Sequence, residues 1–113
     1  MSAHMHGLRI WLLQRISALY MAVYLIVAFS WLYSVPTVDF LTWQGVFASP
    51  LSNILSQIFI YMLLAHAWIG IRDILIDYVH HLPTRLVLIL ALTFLQLILA
   101  IWVFMSFYAV VKL

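Results

Sequence analysis

Cysteine is absent from the 113 residues, which rules out a disulfide, a thiolate-ligated iron–sulfur cluster or a covalently attached c-type haem within this chain. Any redox centre must be held by other ligands. Charge is nearly as scarce: five basic and three acidic residues make up 7% of the sequence, for a formal net charge of +2. So few cations cannot form the basic stripe that nucleic-acid binding requires, and that function class is excluded. Glycine and proline number three each, and no internal repeat, Gly/Ser linker or low-complexity tract divides the chain. One domain over residues 1–113 is expected.

Apolar and aromatic residues supply 68% of the sequence. A soluble domain of this size would need far more polar side chains to cover its surface, so the implied solvent is lipid. An apolar helix needs about 20 residues to cross a hydrocarbon core roughly 30 Å thick. Three stretches qualify, at about 11–33, 52–76 and 84–111, which predicts an all-α membrane protein of three transmembrane helices. The first apolar run, from Ile10, is too long for a signal-peptide core and lacks a small-residue cleavage site, so it reads as a retained span. The segment from Ser34 to Asp39 combines Pro36 with a charge, and that from Tyr78 to Pro83 contains His80 and His81; both read as loops. Between the first two spans, Phe40 to Ser49 is amphipathic and carries Trp43 and Phe47, which suits a short helix lying in the interface.

Arg9 and Arg15 open the first span, Arg72 and Arg85 flank the second loop, and the opposite ends offer only Lys112. The positive-inside rule therefore puts the N-terminus and the second loop in the cytoplasm. Three helices bury little of their own apolar surface, which suits a partner in the membrane as well as lipid.

Ionisable groups inside a span are costly and tend to mark a site, which singles out Arg15, His66, Arg72, Asp73 and Asp77. At 100° per residue, His66, Gly70, Asp73 and Asp77 fall within about 60° of one another on the second span. His66 lies about 16 Å along the axis from Asp77, well inside the hydrocarbon zone. An imidazole there suits a haem iron or a proton relay; a hydrogen bond to a neighbouring helix is the plainer use. Gly70 clears a path for a flat macrocycle or allows close helix packing. Arg72 and Asp73 suit a structural ion pair, with the Arg snorkelling toward water. Asp77 and Tyr78 mark the water boundary, where a carboxylate can relay protons and a phenol can donate to a carbonyl; tyrosine is also common there for amphipathic reasons alone. Arg15 suits an anionic group or lipid phosphate. Trp68, beside His66, can pack on a cofactor, whereas Met62 reads as packing. His4 and His6 read as a tail and His80 and His81 as solvated loop residues, with no metal-site spacing among them.

His66-Ala67-Trp68-Ile69-Gly70, followed by Asp77-Tyr78-Val79 and Arg85-Leu86, resembles the succinate dehydrogenase small hydrophobic membrane anchor subunit of the bacterial four-subunit enzyme. Arg15 and Trp43-x-Gly45-x-Phe47-Ala48-Ser49 agree in order and position, so the resemblance covers about residues 11–90, the third span matching in hydrophobicity only. The resemblance implies half of a haem-binding helical anchor in the bacterial inner membrane, completed by a sister three-helix subunit, the cytochrome b556 subunit. It implies one haem b shared between the two and a ubiquinone site near the cytoplasmic face. There an iron–sulfur subunit and a flavoprotein subunit dock, and these carry the iron–sulfur clusters and FAD. His66 is similar to the axial haem ligand, Arg15 to the arginine near the haem propionates, Tyr78 to the phenol that hydrogen-bonds the quinone, and Asp77 to its neighbour. The family carries lysine-proline where this chain has His80-His81, a departure confined to the loop. Such a subunit serves succinate:quinone oxidoreduction without being catalytic alone. An anchor of a fumarate reductase and a cofactor-free membrane assembly subunit are the alternatives.

Overall fold

The computed structural model describes residues 3–113, with side chains from Met5 onward. Four helices follow one another: α1 (Ala3–Ser34), α2 (Phe40–Ala48), α3 (Pro50–Tyr78) and α4 (Leu82–Val110). Three of them, over Met5–Ser34, Pro50–Tyr78 and Leu82–Val110, are long and apolar enough to cross a membrane. The expected spans are thus present, each drawn too short at its start. α1 begins near the chain start, so His6 belongs to a helix rather than to a tail, while the side chain of His4 lies outside the described residues. Pro50 and Pro83 do not end helices but open them, because a first-turn proline loses no helical hydrogen bond and has its φ preset. The second loop therefore shrinks to residues 79–81.

The interfacial segment forms the nine-residue α2, started by Asp39, whose carboxylate accepts the Thr42 N–H at 2.7 Å. Hydrogen bonds from Thr42, side chain first and backbone second, hold the Asp39 carboxyl below its ordinary range.

α3 is the centre. It packs against α1, α2 and α4, whereas α1 and α4 do not pack on each other. α1 and α4 both run antiparallel to α3, giving an elongated body of 52 × 25 × 25 Å. Its interior inverts the pattern of a soluble domain: Ile69 is the one buried large apolar residue among those described, while Ser17, Asn53 and Ser56 are buried and polar. In lipid, packing Leu on Leu gains little over Leu on acyl chain, so small residues and interhelical hydrogen bonds must hold the helices together. Between α1 and α3, Tyr24 Oη and Ser56 Oγ lie 2.7 Å apart, Tyr20 Oη donates to the Leu55 carbonyl at 2.8 Å, and Tyr24 stacks on Phe59 at 4.3 Å. At the same end of α3, Asn53 Nδ2 donates to the carbonyls of Phe47 (2.7 Å) and Phe107 (2.9 Å), tying α2 and α4 to α3. Gln57 Nε2 donates to Asn53 Oδ1, and Tyr61 Oη to Gln57 Oε1, extending a ladder along α3 at i, i+4 spacing.

Two outcomes follow. Asn53→Leu strips donors from two helix-end carbonyls and costs about 1–2 kcal/mol, read as an earlier midpoint in detergent unfolding; an unchanged midpoint would mean that water already serves those carbonyls. The lowered pKa of Asp39 means that its capping stabilisation is complete above the free carboxyl value near 4 and is lost as pH falls through the lower folded value. The Thr42 amide resonance should therefore titrate below the free-Asp range, and Asp39→Asn should abolish that titration while keeping the cap.

Candidate functional site

His66 sits midway along α3, half-buried against α1. Its Nδ1 lies 3.1 Å from Ser17 Oγ, and that hydroxyl donates to the Gln14 carbonyl at 3.0 Å. Ser17 is 1% exposed, so this contact is part of the α1–α3 seam. The other ring nitrogen, Nε2, has no partner among the described residues. One turn further along α3, a Cβ added at Gly70 would meet nothing within 4 Å, so the face beside the imidazole is open. Sequence reasoning placed His66 and Gly70 but missed Ser17; a lone polar residue two positions after Arg15 in an otherwise apolar stretch was the available signal.

The remaining residues of the stripe separate. Asp73 pairs with Arg72 at 2.9 Å, and the Arg72 guanidinium also lies over the Trp68 ring at 5.4 Å. This pair between neighbours on one helix is partly exposed and contributes little to stability. Trp68 Nε1 donates to Thr93 Oγ1 of α4 at 2.9 Å, which turns its ring toward α4 and away from the α1 contact of His66. Two residues apart on a helix means about 200° of rotation, which puts them on opposite sides.

Asp77 and Tyr78 close α3 as exposed residues, and neither side chain has a hydrogen-bond partner among the described residues; Tyr78 is 78% exposed. The chain alone leaves them at an open helix end, and they line neither of two grooves on its surface. One groove, of about 520 Å³, lies between α1 and α4 over α3, beside Trp68, Arg72 and the unpartnered Gln96 Oε1. The other, of about 380 Å³, lies at the opposite end, beside Trp31, Trp43 and Ser56.

Arg15 is exposed, with its guanidinium over the Trp11 ring at 5.0 Å. The antiparallel α1–α3 pair puts its backbone about 3 Å beyond the His66 level toward the Asp77 end, from two residues of helical rise. Being two positions from Ser17, it points to a different face of α1 and is not brought onto His66 by this chain. His80 and His81 are both exposed, as expected, and His81 Nδ1 lies 2.7 Å from Thr84 Oγ1 at the start of α4. Among the described residues no three His, Asp or Glu side chains gather where a metal ion would fit.

Residues 1–111 match the model of the family described as succinate dehydrogenase/fumarate reductase transmembrane subunit, so the likeness extends through α4 and beyond the stretch marked by sequence motifs. The chain is also similar to the succinate dehydrogenase hydrophobic membrane anchor subunit of Coxiella burnetii (strain RSA 493 / Nine Mile phase I). The two are 35% identical over 82 residues, which cover 73% of this chain and 71% of that protein.

Gly70→Leu should leave helix content unchanged, because the space beside Gly70 is empty within the chain. If a partner subunit covers that face, recovery of partner subunits with the tagged variant falls severalfold, measured by co-purification in mild detergent. Equal recovery would show that the face remains in lipid.

Proposed function

This chain belongs to the succinate dehydrogenase/fumarate reductase transmembrane subunit family, and from that membership we propose that it anchors a succinate dehydrogenase in the bacterial inner membrane. In this reading it holds haem b jointly with a sister anchor subunit and helps form the ubiquinone site. It is a membrane subunit of an enzyme complex, and the subunit itself is non-catalytic. The observation that carries the haem reading is the environment of His66: a mid-span imidazole with Nδ1 engaged by Ser17, Nε2 unpartnered, and open space at Gly70 one turn away. This donor suits an axial ligand to haem iron, and the residues present fit that group. When bound, a b-type haem supplies a one-electron centre between two subunits. A second histidine would come from the sister subunit.

Other residues act around that centre. The exposed Arg15 guanidinium would pair with a propionate presented by the assembled complex, a role that the chain alone does not preorganise. At the far end of α3, the unpartnered Tyr78 hydroxyl would donate to a quinone carbonyl oxygen and favour the charge that builds there as two electrons arrive. Asp77, the preceding residue, would relay protons from water, two being taken up as quinone becomes quinol. Their exposure in this chain accords with a site whose remaining walls come from the iron–sulfur and sister subunits. Arg9, Arg15, Arg72 and Arg85 gather at this end of the molecule and Lys112 at the other, which supports a cytoplasmic N-terminus and docking of the soluble subunits on that side. The family spans both directions of the reaction; the name of the Coxiella burnetii relative favours succinate oxidation.

In the purified complex, Tyr78→Phe should lower succinate:quinone reductase activity by about tenfold or more, as expected for loss of one donor to a developing oxyanion. The reduced-minus-oxidised haem spectrum should stay unchanged. Full activity with unaltered quinone affinity would remove Tyr78 from the site.

A further inference from the structure

The geometry points to Ser17 as a positioning residue that sets the tautomer and ring orientation of His66, so that Nε2 is the nitrogen offered to iron. This inference rests on the reading of His66 as an axial haem ligand.

A serine hydroxyl has one proton to donate and two lone pairs to accept with. Ser17 directs its proton to the Gln14 carbonyl, 3.0 Å away on its own helix. Toward His66 Nδ1, at 3.1 Å, it can then only accept, so Nδ1 must carry the hydrogen. A neutral imidazole has one N–H, which leaves the Nε2 lone pair free to bind metal. Burial makes the arrangement specific, because Ser17 is 1% exposed and water cannot readily replace it. The same bond fixes the ring plane from one side, and α1 thereby steadies a ligand carried on α3.

An Nδ1–H that donates to an acceptor raises the basicity of Nε2, and a more basic ligand favours ferric over ferrous iron. Ser17 should therefore lower the haem potential as well as strengthen haem binding. Loss of an outer-shell partner of this kind typically weakens metal affinity by 10- to 100-fold.

The test uses the complete complex carrying Ser17→Ala, Ser17→Thr, Ser17→Val or His66→Ala. The readouts are haem b content and the midpoint potential from an optical redox titration. In Ser17→Ala, haem should bind at least about tenfold more weakly, and its potential should move positive. Ser17→Thr, which keeps the hydroxyl, should restore both properties, whereas Ser17→Val, matched to Thr in volume, should behave like Ser17→Ala. Native potential and haem retention in Ser17→Ala would overturn the inference. So would equal displacement in the Thr and Val variants, since volume rather than the hydroxyl would then be at work. If Ser17→Ala fails to assemble, the Thr and Val pair decides alone. His66→Ala tests the underlying reading separately. Native haem in that variant removes His66 as the ligand, whereas loss of haem there with a native Ser17→Ala removes only the role of Ser17.

Discussion

Polar contacts made by α3 in an apolar solvent hold this chain together, and the position of every candidate functional group depends on them. Lipid surrounds Leu, Ile and Phe as comfortably as other side chains do, so little is gained by burying them. An unsatisfied hydroxyl or amide in the same place is expensive, and that cost drives Ser17, Ser56 and Asn53 into the seams. Each of the three joins α3 to another helix through a hydrogen bond. His66 is thus both a member of the polar seam and the candidate ligand, and its two ring nitrogens divide these tasks.

The same economy of contacts leaves the molecule unfinished. With α1 and α4 on either side of α3 but not on each other, α3 keeps an open strip that includes Gly70 and the free edge of His66. The sister subunit that we propose would cover this strip, and membership of the succinate dehydrogenase/fumarate reductase transmembrane subunit family implies other subunits of a complex. Asp77 and Tyr78 stand exposed at one helix end, so the quinone site proposed there would need walls from other subunits.

What could be read without coordinates was whatever depends on one helix at a time. Hydropathy along the chain gives three spans, the amphipathic stretch with Trp43 and Phe47 foretells α2, and the 100° rotation per residue lines up His66, Gly70 and Asp77. The start of α4 departs from expectation because Pro83, which reads as part of a loop, serves as a first-turn residue. Relations between helices were hidden. No periodicity pairs Ser17 with His66 across 49 positions, sends Trp68 to Thr93, or lets Asn53 reach Phe107. Arg15 shows the limit most clearly, since its residue type suits an anionic group or lipid phosphate alike, and only the structure lays its guanidinium over Trp11.

The proposed half of a haem scaffold is open to a direct measurement. Reduced-minus-oxidised spectra, with haem quantified per protein, should be compared for the chain alone and for the chain co-purified with its sister anchor subunit. A b-type signal at one haem per pair, and none from the chain alone, is expected. A stoichiometric signal from the isolated chain, or no signal from the pair, would contradict it.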